Sequence, residues 1–178
     1  MRKLLIVSAA LLLAVASSIL ALQVTGGEAQ AGGSDKILEF DVMVGLPRPF
    51  TRGEGNAIRG VDGGGLPWVI ASAEGGLETN GDIDVEVEGL VFDPNDPAVI
   101  DRGLAGINPV ANFKAIVSCL SIDENGDAVI VNVETGLFPA DMAGDSEIAD
   151  NVDLPSPCIA PIIFVTSPGG AWFSATGF

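Results

Sequence analysis

The stretch LETNGDIDVEVEGLVF, residues 77–92, decides the fold. From Asp82 its residues alternate strictly, with Ile83, Val85 and Val87 on one side and Asp82, Asp84, Glu86 and Glu88 on the other. A period of two describes a strand with one face on a core and the other in water, as in an antiparallel sheet. The strand is read as running over 82–92. The preceding Asn80-Gly81 tolerates the positive φ of a tight hairpin, so a type I′ turn is expected there. The other arm is read from Pro67 to Ala73, with Glu74-Gly75-Gly76 as a bulge beside the turn.

The same grammar recurs along the chain. KILEFDVMV (36–44) alternates, placing Leu38, Phe40, Val42 and Val44 on one face and Glu39, Asp41 and Met43 on the other. FKAIVSCLSIDENGDAVIVNV (113–133) predicts a hairpin about Asn125-Gly126, and SEIADNVDL (146–154) a more polar strand. CIAPIIFVT (158–166), Ser167-Pro168-Gly169-Gly170 and AWFSATGF (171–178) predict a closing hairpin. Its prolines and paired glycines exclude a membrane helix there. No window after residue 36 sustains a 3.6-residue period. The expectation is an all-β protein, one antiparallel sandwich of about eight strands (immunoglobulin-like or jelly-roll-like), with a barrel as second choice. Two loops exceed ordinary connection lengths, residues 45–65 and 93–110.

The first 31 residues read as a leader rather than as fold. Met1-Arg2-Lys3 precedes the apolar run 4–22, and Ala29-Gln30-Ala31 offers a small-x-small cleavage site. Residues 1–31 are therefore read as a signal peptide and 32–178 as a single domain. The product is expected to be secreted or periplasmic, with no stable membrane anchor after cleavage. Removing Arg2, Lys3 and Glu28 takes the net charge from −16 to −17. That charge disfavours nucleic acid and points instead to divalent cations or a basic partner.

Two cysteines in an exported chain read as a disulfide, Cys119–Cys158. Closing a loop of about 40 residues is worth roughly 4 kcal/mol in the chain-entropy account. A reactive thiol needs a base, usually histidine, and the chain has none. The absence of histidine also excludes Ser-His-Asp catalysis and imidazole-type zinc or copper sites. No catalytic residue is assigned.

Carboxylates remain. Those alternating over 82–88 stand about 7 Å apart on one face, a spacing compatible with inverting glycoside hydrolysis. An open face does not raise a carboxyl pKa, however, as a general acid requires. Calcium is the one cofactor considered, because hard cations take clustered oxygens. Asp123, Asn125 and Asp127 alternate like the start of a calcium loop but lack its glycine and distant glutamate, and Asp93-Pro94-Asn95-Asp96 is a second cluster. Ordinary turn chemistry is the simpler reading of both, because Asp, Asn and Gly are the residues turns demand. GVDGGGLPW (60–68) lacks the lysine and glycine spacing of a phosphate loop, so its glycines are read as permitting close backbone approach or a bulge before Trp68. Arg48, Arg52 and Arg59 hold half of the positive charge left after cleavage and are read as partners for nearby acids.

GGGLPW (63–68), INPVANFKAIVSCLS (107–121) and LPSPCIAPIIFVTSPGGAWF (154–173) resemble a group of small exported bacterial proteins without an established activity. The likeness covers most of the chain after the leader. It implies a secreted bacterial β domain and supplies no mechanism. The function expected is a non-catalytic binding or envelope-associated module. The alternative is a carboxylate-dependent hydrolase of extracellular glycans.

Overall fold

The computed structural model describes residues 34–52 and 55–177; the signal peptide read over residues 1–31 lies outside them. Strands come in the order β1 (Lys36–Phe40), β2 (Met43–Gly45), β3 (Trp68–Val69), β4 (Ser72–Glu78), β5 (Asp82–Glu88) and β6 (Val91–Phe92). A one-turn helix, α1 (Pro97–Ile100), precedes β7 (Asn112–Ile122), β8 (Ala128–Glu134), β9 (Phe138–Pro139), β10 (Ser146–Asn151), β11 (Ile159–Thr166) and β12 (Trp172–Thr176). Eight of these strands have five or more residues, the number the sequence led us to expect; the other four have two or three.

Every strand pair is antiparallel, and the two main sheets stay open. One sheet runs β1-β4-β5-β10. The other runs β2-β12-β11-β7-β8, with β9 added on β7, and β3 pairs with β6 apart from both. Leu77, Ile83, Val85, Val87 and Ile148 of the first sheet join Phe113, Val117, Ile163 and Val165 of the second in one buried cluster. Each such side chain contributes about 1.5–3 kcal/mol when fully buried. Trp68 stacks on Phe173 with ring centroids 4.0 Å apart, and Phe113 meets Phe173 edge-on.

Several boundaries differ from the sequence reading. The stretch 36–44 is two strands, because the chain crosses from one sheet to the other at Asp41-Val42. The crossing reverses the phase: Met43 turns inward, while Val42 and Val44 stay 59% and 44% exposed. The strand at 82 ends at Glu88, where Gly89 adopts φ +65° and sends the chain to β6. Glu74-Gly75-Gly76 is not a bulge, since β4 pairs without a shift from Ser72↔Glu88 to Leu77↔Ile83. Gly75 serves packing instead: a Cβ there would lie 2.9 Å from the Phe40 ring.

The hairpins share one turn, which is not type I′. Asn80 and Asn125 keep negative φ; only the glycines after them are positive, at +90° and +87°. Gly81 N donates to Glu78 O, Gly126 N to Asp123 O, Gly144 N to Asp141 O and Gly170 N to Ser167 O. This is the three-residue loop with a left-handed glycine in third place. In three cases the residue opening the turn also accepts from the backbone four residues on: Asp123 from Asp127, Asp141 from Asp145, Ser167 from Ala171.

Residues 46–52 and 55–65 form a roof over the outer face of the second sheet. Trp172 lies under it, with Phe50 and Phe164 rings 6.2 and 6.0 Å away, and all of Leu46, Thr51 and Val61 are buried. Gly63 and Gly64 permit the close approach expected of them. A Cβ at Gly63 would strike Phe50 O at 2.1 Å, and one at Gly64 would press on the Phe173 ring.

Candidate functional site

Register brings the carboxylates of the first sheet together. Glu74 on β4 stands opposite Glu86 on β5, which stands opposite Glu147 on β10. Three exposed carboxylates thus form one row across three strands, where Cβ atoms of directly opposed residues lie about 4.5–5.5 Å apart. Asp41 lies beside Glu74 in a shallow hollow of about 590 Å³, with Glu39 and Asp84 on its walls. Smaller hollows continue along the face past Ser72, Glu88 and Asp145. Lys36 is the one cation lining these three hollows, and it is taken by Glu39 at 2.8 Å.

The arrangement follows from local sequence. The inner residues of β5 must be apolar to reach the core, which leaves its acids outside. On β10, Ser146 and Ile148 are buried, so Glu147 faces out in step with Glu86. Opposed like charges destabilise a sheet. The row is therefore held against its own repulsion by the apolar burial beneath it. Sequence reading identified the four acids of β5 but missed Glu74, Glu147, Asp41 and Asp145. Their outward phase could be read strand by strand, but their alignment with Glu86 depends on register.

The other candidates have structural duties. Asp123 uses one oxygen to accept from Asn125 N and Asp127 N, at 2.8 and 2.9 Å. Those donors, that of Asp127 foremost, hold its carboxyl below the ordinary value. Asn125 and Asp127 belong to the same turn, and DMAGD (141–145) repeats the D-x-x-G-D pattern of DENGD (123–127). That repetition is the signal by which the turn role could have been read. Asp96 caps α1 by accepting from Ala98 N and Val99 N, and pairs with Arg48, which depresses its pKa. Asp93 accepts from Asn95 N. Among the described residues, no group of three or more His, Cys, Asp and Glu side chains is arranged to hold a metal.

Arg48–Asp96 joins the two long loops beside a groove of about 490 Å³ lined by Met43, Leu46, Pro67 and Trp68. Arg52 contributes its backbone N–H to Gly64 O. Among the described residues Arg59 pairs with no acid, contrary to the sequence reading. Its Nη1 donates to Ser118 O and Ala160 O, at 2.8 and 2.9 Å. Those carbonyls lie where β11 slips register between Ile159 and Ile162, around Pro161, which has no N–H to give. The guanidinium pins the roof to the sheet at this irregularity.

Cys119 and Cys158 form the expected disulfide, with Cα atoms 5.0 Å apart. It ties β7 to the start of β11. Glu39, Asp82, Asp96, Asp123 and Asp150 all have lowered carboxyl pKa values, the first through Lys36 and the second through Asn151 and Asn80. A general acid needs the opposite shift, so the hydrolase reading gains nothing here. No protein family, curated protein or solved structure matches the chain. Among the described residues, no helix is long and apolar enough to cross a membrane.

Proposed function

We propose that this chain is an exported, non-catalytic binding module, secreted or periplasmic, whose four-stranded sheet docks a basic partner on its outer face. One observation carries the reading: the row Glu74–Glu86–Glu147, aligned by register on an open face and, among the described residues, without facing cations. A lysine- or arginine-bearing surface would relieve the mutual repulsion of the row, so its binding gains from a strain the free protein already holds. The disulfide supports an oxidising compartment.

The test is titration with a lysine- and arginine-rich peptide, first at low salt and then near 1 M, where the Debye length falls to about 3 Å. Neutralising Glu74, Glu86 and Glu147 together to glutamine is expected to weaken binding about ten-fold or more. Neutralising Asp93, Asp101 and Glu124 changes net charge equally but lies off this face, and should leave most of the affinity. Equal losses from both triple variants would reduce the effect to net charge and remove the face as a site. For location, fractionation after a salt wash is decisive: protein remaining in the membrane fraction contradicts a free exported module.

A further inference from the structure

The four sheet edges are not protected alike. β1 carries Lys36 and a register shift at Ile37, β10 carries Glu147 and Asp150, and β2 is only three residues long. Charges, bulges and shortness are how proteins stop edges from pairing with other chains. β8 has none of these over Ala128–Val133, a run of six residues without charge, proline or bulge. Asp123 N donates to Asp127 O and Thr135 N to Ala115 O, which fixes the alternation of the ladder. By that alternation Val129, Val131 and Val133 bond to β7, while Ala128, Ile130, Asn132 and Glu134 turn their N–H and C=O groups outward. Among the described residues no hydrogen bond engages those outward groups. An exposed apolar row adjoins the edge: Ile130 (51% exposed), Leu120 (40%) and Ile159 (53%) are successive cross-strand neighbours.

The geometry points to a second copy of this chain as the occupant of β8, paired antiparallel about a twofold axis at Val131. In that register the strand overlaps itself along its full length. Val131 meets Val131 of the second copy, and Val129 meets Val133. Glu134, already paired with Lys114, falls opposite Ala128, and Asp127 falls opposite Thr135. No acid faces an acid. Slipping the pairing by four, to bring Ala128 opposite Ile130, sets Glu124 against Glu134. For a chain of net charge −16 this matters, because two copies repel and can meet only along an uncharged stretch. A seven-residue edge is about 24 Å long. It covers less than the roughly 800 Å² per partner of a standard stable interface, so the dimer forms at high concentration. Screening the repulsion strengthens it, whereas docking of a basic partner on the acidic face weakens with salt.

Sedimentation of the protein as isolated, from about 1 µM to 1 mM, is expected to show its mass doubling within that range, at lower concentration in high salt. Amide exchange at Ala128, Ile130, Asn132 and Glu134 should slow at least ten-fold on dimerisation, with the alternate amides already slow. Ile130→Lys places a charge on the exposed face, and Ile130→Pro removes an N–H that β7 does not use. Each should hold the protein monomeric to about ten-fold higher concentration, and the lysine variant should keep its melting temperature. A protein monomeric at all concentrations, a dimer whose β8 amides exchange freely, or a dimer indifferent to Ile130→Lys would overturn the proposal. So would protection of these amides only when an unrelated extended peptide is added.

Discussion

The two outer faces of this sandwich solve the same problem in opposite ways. The four-stranded sheet leaves its outer face in water and fills it with carboxylates, which need no cover. The other sheet places Trp172, Phe164 and Ile116 on its outer side and needs a third layer to bury them. That layer is formed by residues 46–52 and 55–65, held by Phe50 against Trp172 and by the Arg59 guanidinium on two strand carbonyls. Stability thus depends on the roofed face, and the open one carries the charge. Substitutions on the first should destabilise; neutralisations on the second should not.

The largest effect expected is from Trp172→Ala. It removes a fully buried indole from beneath the roof, and such truncations cost about 3–5 kcal/mol. Denaturant unfolding should show the midpoint fall with little change in slope. If Trp172→Ala costs less than about 1 kcal/mol, the roof is not part of the core. Arg59→Ala comes next. Losing the Arg59 donor at Ser118 O and Ala160 O is expected to cost about 1–3 kcal/mol, and Arg59→Lys should recover only part because its ammonium is more strongly hydrated. Limited proteolysis at residues 51–60 should rise in parallel.

How much of this contrast is legible in the sequence follows from what alternation can and cannot encode. Strict alternation over 82–88 predicts both the buried and the wet face of β5, because one residue's phase fixes the rest. It fails at Asp41-Val42, where the apolar pattern continues while the chain changes sheets, so Met43 rather than Val44 enters the core. The turns illustrate a subtler loss. Asn-Gly satisfies a type I′ turn and the three-residue loop alike, so the dipeptide by itself does not choose between them. The acid row needs register, since nothing in Glu74 or Glu147 alone says which residue will lie opposite. The roof was beyond reach altogether, because consecutive Trp172 and Phe173 point to opposite sides and neither says what covers it. The disulfide was legible because the chain has only two cysteines.

On the open face the expected sign reverses. Glu86→Gln removes the central carboxylate of the row and should stabilise the protein by about 0.2–1 kcal/mol. The gain should shrink as salt screens the repulsion. Lys at the same position should stabilise further, by facing Glu74 and Glu147 with opposite charge. A loss of stability in Glu86→Gln would mean the row is compensated by groups not evident in the fold.

The smallest effect separates the carboxylates that are held from those that are merely crowded. Asp123 is held: the backbone donors of Asp127 and Asn125 lower its pKa in the folded state, so its charge stabilises the fold. A depressed carboxyl contributes stability that is present above the unfolded value of 3.8 and lost as pH falls through the lower folded value. Asn at this position keeps an acceptor oxygen for the turn and removes only the charge. Asp123→Asn should therefore melt slightly below the native protein at pH 7, and the two should converge at pH values below the folded pKa. Melting curves of the two proteins from pH 7 to pH 2 should show the deficit closing on acidification. A deficit in Asp123→Asn that persists at the acid end would assign its effect to turn geometry rather than to charge, and would place Asp123 with the other structural residues of the roofed sheet.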